Sequence, residues 1–163
     1  MMNDEYNNLL ERIQKWRNGI IKDPVKERRI RTILERFEDD NNIKLSAIYD
    51  GTGLIVATGD KLKTKNHDIV GGYGAIVFDK VNKFIKEVHS KSHINLIPQQ
   101  IRETDLRCII IDTIVEERRI INVICPVPDV GFLLLELEDY TQLGYLMMNI
   151  NYLIENLMEE IFT

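Results

Sequence analysis

At 163 residues, with 44% hydrophobic and 29% charged side chains, the chain suits one globular domain and excludes a disordered one. A net charge of −5, with basic clusters that are short, at 26–31 and 61–65, argues against nucleic acid, which needs lysines and arginines gathered on one face. No run reaches the ~18 apolar residues of a membrane span, and the opening MMNDEYNNLLERIQKW lacks the apolar centre of a signal peptide, so the chain reads as cytoplasmic.

Along residues 4–21, Tyr6, Leu9, Leu10, Ile13 and Ile20 recur at helical spacing, and an amphipathic helix is expected there. This stretch, 1–23, is read as an extension preceding a main domain at 24–163. Asp23 suits a helix cap and Pro24 a first helical position. The next helix is expected over 24–39, burying Ile30, Ile33, Leu34 and Phe37, with the acidic run at 38–40 and Asn41-Asn42 ending it. IKLSAIYDGTGLIVATGD, residues 43–60, sets two β-forming runs around Asp50, Gly51, Thr52 and Gly53, a hairpin whose glycines supply positive φ.

A polar gap leads to 66–89, where Ile69, Val70, Tyr73, Ile76, Val77, Val81, Phe84, Ile85 and Val88 predict a helix with a broad apolar face. A loop marked by Pro98 follows. Strands are expected at 106–115, 119–127 and 130–138, the first two joined by a turn at 116–118. The last helix, about 141–161, has the cleanest apolar periodicity in the chain. The fold class expected is α+β: a five-stranded, mostly antiparallel sheet covered by helices, since such apolar strands cannot be left bare.

The glycines of IVGGYGAIV look at first like a phosphate cradle. A P-loop needs a preceding strand and a following Lys-Ser/Thr, and a dinucleotide fingerprint needs glycine where Val77 stands, so no nucleotide site is expected. Glycine inside a helix costs about 0.5–1 kcal/mol relative to alanine, and the usual compensation is close approach of another backbone. CIIIDTIV is apolar on both faces and is expected at a sheet edge, where an unprotected strand pairs readily with another chain. A homodimer accounts for both. Its interface is expected to draw on Ile69, Gly71, Gly72, Tyr73, Ile76, Val77, Lys80, Cys108, Ile110 and Asp112.

From 25 to 161 the chain resembles the Roadblock/dynein light chain family. The resemblance rests on element order, on the hairpin Ala47-Ile48-Tyr49-Asp50-Gly51-Thr52-Gly53-Leu54-Ile55-Val56-Ala57, and on FLLLELEDYTQLGYLMMNINYLIENL for the final strand and helix. It implies a profilin/longin-type architecture whose long helix and edge strand, here 66–89 and 106–115, form the seam of a dimer. It further implies a non-catalytic platform that binds a small Ras-like GTPase, by activation, exchange or scaffolding. The helix at 4–21 is a departure from the minimal family domain. A small-ligand sensor of similar architecture is the alternative, and it requires polar groups converging in an apolar cavity.

No cofactor or metal is expected. His89 and His93 lack a third zinc ligand and read as solvated residues at a fraying helix end. Cys108 and Cys125 have no CxxC spacing and no adjacent base, and read as buried thiols of a reducing compartment. Glu116, Glu117, Glu136 and Glu138 form no acid–base pair, so no enzyme is expected.

Overall fold

The computed structural model describes residues 22–59, 67–92, 107–139 and 143–163, and residues 7, 8, 11, 14, 15, 18 and 20 of the N-terminal stretch; for 67, 68 and 89–92 it describes the backbone alone. Those N-terminal residues are helical, and Ile20 is buried in the core; the rest of the helix expected at 4–21 lies outside the described residues. Helix α1 (Pro24–Asn41) starts as expected: the Asp23 carboxylate accepts from the Val25 and Lys26 amides at 3.0 and 3.2 Å, with Pro24 just inside. It ends at Asn42, whose φ of 51° is the left-handed conformation that asparagine tolerates.

The sheet comprises β1 (Leu45–Asp50), β2 (Ile55–Thr58), β3 (Ile109–Val115), β4 (Arg118–Val127) and β5 (Gly131–Leu137). All pairings are antiparallel, in the order β2-β1-β5-β4-β3. Each hairpin keeps its strands adjacent, and β5 joins the two groups by pairing with β1. That leaves β2 and β3 as the outer strands, and the expectation that 106–115 holds an edge is borne out.

Alternation along the strands sends side chains to opposite faces. Ile48, Leu133, Leu135, Val123 and Cys125 face one way and meet α1 and α3 (Leu143–Phe162), which supplies Leu146, Ile150, Leu153, Leu157 and Ile161. Leu45, Ala47, Tyr49, Phe132, Leu134 and Ile124 face the other way and meet α2 (His67–Ser92) through Val70, Ala75, Val77 and Phe78. β1 is buried along its whole length because helices cover both of its faces.

Three local features depart from the sequence reading. Glu38, expected in the acidic run that ends α1, lies inside the helix and is buried, and its Oε1 accepts from the Ser46 amide at 2.9 Å and the Ser46 hydroxyl at 2.6 Å. The β3–β4 turn has two residues, Glu116 and Glu117, both at positive φ, and Arg118 already belongs to the strand. In the β1–β2 turn only Gly53 takes a positive φ, 87°, while Asp50 organises the loop by accepting from the Thr52 and Leu54 amides at 2.9 and 3.1 Å.

The helical glycines divide between two environments. A Cβ on Gly71 would lie 1.8 Å from the Gly53 carbonyl oxygen and 2.7 Å from the Tyr49 ring, and one on Gly74 would lie 2.8 Å from the Phe132 ring. Gly72 has nothing within 4 Å. Close approach is therefore the reason for Gly71 and Gly74, and it is made inside the chain, where the sequence reading had looked to a second molecule. Gly71→Ala is expected to cost about 2–3 kcal/mol, since rigid backbone has to move. Gly74→Ala costs less, because it meets a side chain where Gly71 meets backbone, and Gly72→Ala adds about 0.5–1 kcal/mol through helix propensity. Urea denaturation of the three variants checks the order.

Candidate interaction surface

Helix α2 uses one side to pack on the sheet and leaves the other bare. Ile69, Tyr73, Ile76, Phe84 and Val88 follow one another at spacings of three to eight residues along its outer side, and all are exposed, Tyr73 by 68% and Phe84 by 65%. Contiguous apolar patches of this kind are uncommon on monomers and mark interaction sites. Lys80 is exposed within the same stripe, and Lys83 pairs with Asp79 at 3.0 Å beside it.

The second bare element is β3. Ile110, Ile114 and Val115 are exposed, Ile114 by 77%. β4 continues past β5: its pairing with β5 begins only at Ile121, so in the described ladder Arg118, Arg119 and Ile120 pair with β3 and the hairpin tip extends beyond β5. Across that tip Arg119 binds Asp112 in bidentate fashion, Nε to Oδ1 at 3.0 Å and Nη2 to Oδ2 at 2.8 Å.

Of the residues expected at a dimer interface, Ile69, Tyr73, Ile76 and Lys80 share the outer side of α2, Gly72 has open space beside it, and Ile110 and Asp112 lie on β3. Gly71 is buried against Gly53, and Val77 packs toward the sheet. Cys108 is half-buried on the α3 side, its sulfur 4.0 Å from that of Met147. Phe84, Val88, Ile114 and Val115 belong to the exposed set and were not singled out as interface residues. The signal for the first two is continuation of the Ile76 stripe by eight and twelve residues.

Hairpin residues Asp50, Gly51 and Gly53 are structural. The Asp50 side chain is buried and closes the turn, the Gly51 amide donates to the Val130 carbonyl at 3.0 Å, and Gly53 lies under α2. Tyr49 stacks on Phe132 with ring centres 5.1 Å apart, and burial pushes its phenol up to about 12. Burial pushes the Cys125 thiol up to about 12 as well, with Cys108 adding to the rise, and burial raises Cys108. These thiols are held in their unreactive form.

Helix α2 continues through Ser92, beyond the fraying end expected near His89, and His93 lies outside the described residues. Among the described residues, no three of His, Cys, Asp or Glu gather as a metal site, and no helix is long and apolar enough to cross a membrane. A recess of about 230 Å³ lies between the start of α1 and the end of α3. Asp23, Lys26, Arg29 and Glu160 line it, so it is not the apolar cavity that a ligand sensor requires.

These elements define the Roadblock type of α+β fold: a five-stranded antiparallel sheet with one long helix on one face and two on the other. Solved structures of the protein MglB have this fold. Myxococcus xanthus MglB superimposes with a TM-score of 0.64 at 13% identity, over 80% of this chain and 93% of that one. The gliding protein MglB of Thermus thermophilus gives 0.64 at 14% identity, over 84% and 91%. A structure of MglB in a tetrameric arrangement gives 0.64 at 14%, over 84% and 90%. No protein-family model matches the sequence, and no curated protein matches it.

The raised thiol and phenol values carry a pH dependence. Folded Cys125 and Tyr49 hold their protons to about 12, above the ordinary values of about 8.5 and 10. Between these limits the folded chain binds more protons than the unfolded one, so stability is complete below pH ~8.5 and falls as pH rises toward 12. Urea midpoints measured from pH 7.5 to 11 should decline, and less steeply in Cys125→Ala. At pH 8 without denaturant, a thiol reagent should titrate Cys108 slowly and leave Cys125 untouched.

Proposed function

We propose that the chain is a non-catalytic, homodimeric platform that binds and regulates a small Ras-like GTPase. The observation that carries this reading is the apolar stripe on the outer side of α2, where Ile69, Tyr73, Ile76, Phe84 and Val88 are exposed in line. A stripe that keeps tyrosine, phenylalanine and isoleucine in water is best explained by a protein partner. The exposed edge of β3 favours a second copy of the chain, because a two-fold axis lets one edge satisfy itself.

The GTPase half of the proposal is supported by the shared fold with MglB and by the Roadblock resemblance of residues 25–161. A regulator of this kind brings no nucleophile or metal of its own. It acts by fixing the position of the GTPase's switch loops, which is enough to change hydrolysis or exchange rates. Cytoplasmic residence belongs to the same reading.

Sedimentation equilibrium at tens of micromolar is expected to give twice the 19.1 kDa chain mass. Ile76→Asp and Ile110→Asp, at exposed positions, are expected to give folded monomers with unchanged circular dichroism. A monomeric wild type, or dimers that persist in both variants, would count against this seam. The Ras-like GTPase encoded nearest the chain's gene should bind it and change its rate of GTP hydrolysis or nucleotide exchange by about ten-fold or more. No binding in either nucleotide state removes the GTPase part of the proposal.

A further inference from the structure

We propose that the outer edge of β3 pairs with the same edge of a second copy in an antiparallel register centred on Asp112, and that Arg119 makes this register tolerable by neutralising the two Asp112 carboxylates that meet on the axis. The inference rests on the homodimer proposed above and adds to it a register and a residue that fixes it.

Strand alternation sends Cys108, Ile110, Asp112 and Ile114 to the α3 side of the sheet, and Ile109, Ile111, Thr113 and Val115 to the α2 side. A two-fold axis perpendicular to the sheet has to pass midway between a residue and the same residue of the copy. An axis between residues would place opposite each other two side chains that point to different faces. Three axes remain near the middle of the strand, at Ile111, Asp112 and Thr113. The axis at Asp112 pairs all seven residues of β3 and sets Ile110 opposite Ile114 of the copy twice, covering the two α3-side isoleucines that are exposed by 41% and 77%. The axis at Ile111 sets Ile110 against a carboxylate and leaves Ile114 beyond the pairing. The axis at Thr113 does the same with the two isoleucines exchanged.

The favoured register has one cost. It brings Asp112 opposite its own copy, and like charges directly opposite on a sheet repel. Arg119 answers that cost within each chain. It lies on the same face of the hairpin, in the part of β4 that projects past β5, and grips both carboxylate oxygens of Asp112 at 3.0 and 2.8 Å. What meets on the axis is therefore two neutral ion pairs. The side chains involved are half-exposed in the single chain, so the pair contributes little to the fold by itself and far more once a second strand covers it.

Cross-linking tests the register. In a Cys108→Ser background, Ile110→Cys and Ile114→Cys chains are equilibrated separately and as a mixture under mild oxidation. A disulfide-linked dimer is expected in the mixture alone, since position 110 faces 114 of the copy and lies about 13 Å from its own counterpart. Absence of that product while sedimentation still reports a dimer overturns the register and leaves the homodimer standing. A monomer overturns both. Arg119→Ala is expected to weaken dimerisation about ten-fold or more, and adding Asp112→Asn should restore it by removing the stranded charge. An unchanged dissociation constant in Arg119→Ala overturns the role given to Arg119.

Discussion

The close approach of α2 to the β1–β2 turn governs the rest of the molecule. Gly53 and Gly71 meet backbone to backbone, and three residues later Gly74 lies on the Phe132 ring. With no side chains interposed, the start of the helix sits lower on the sheet than an ordinary packed helix. Its inner side is satisfied by Val70, Ala75, Val77 and Phe78. The apolar groups left over cannot turn inward, because that side is full. They form the outer stripe, and the bare surface is a consequence of how tightly the other one is seated.

The opposite face of the sheet is built differently. There two helices share the work, joined where the Asn149 side-chain amide donates to the Asn41 side-chain oxygen at 3.3 Å, and their apolar residues interlock over β1, β5 and β4. β3 receives the least cover because it is the last strand, and its tip extends past the neighbour that would flank it. A sheet completed on its faces can grow only at its outer strands, and of these β3, with seven residues, offers a longer edge than β2, with four.

The sequence discloses much of this, for physical reasons that differ by element. The Asp50–Gly53 turn is legible because only a few residue types satisfy its backbone, and α1 because Asp23-Pro24 can do little else. Strand order follows from hairpin adjacency, which put β3 at the edge. Gly71 and Gly72 are indistinguishable in sequence, yet one touches backbone and the other touches nothing; only the helix phase separates them. Glu38 is opaque for a related reason. Its place in an acidic run marks it as ending the helix, while the helix rotates that position inward toward Ser46. The outer stripe was half legible, since periodicity reveals an apolar face but cannot say which part of a broad face the sheet will claim.

Glu38 also ties together parts of the chain that are far apart. Its carboxylate bonds the start of β1, and a Cβ on Gly59, just past β2, would fall 2.0 Å from its Oε1. Residues 38, 46 and 59 are thus one unit distributed over three elements. Over evolutionary time they should vary jointly: a lineage that shortens the acid at 38 loses the reason to keep glycine at 59, and one that gains a side chain at 59 has to swing the acid away from its bonds to Ser46.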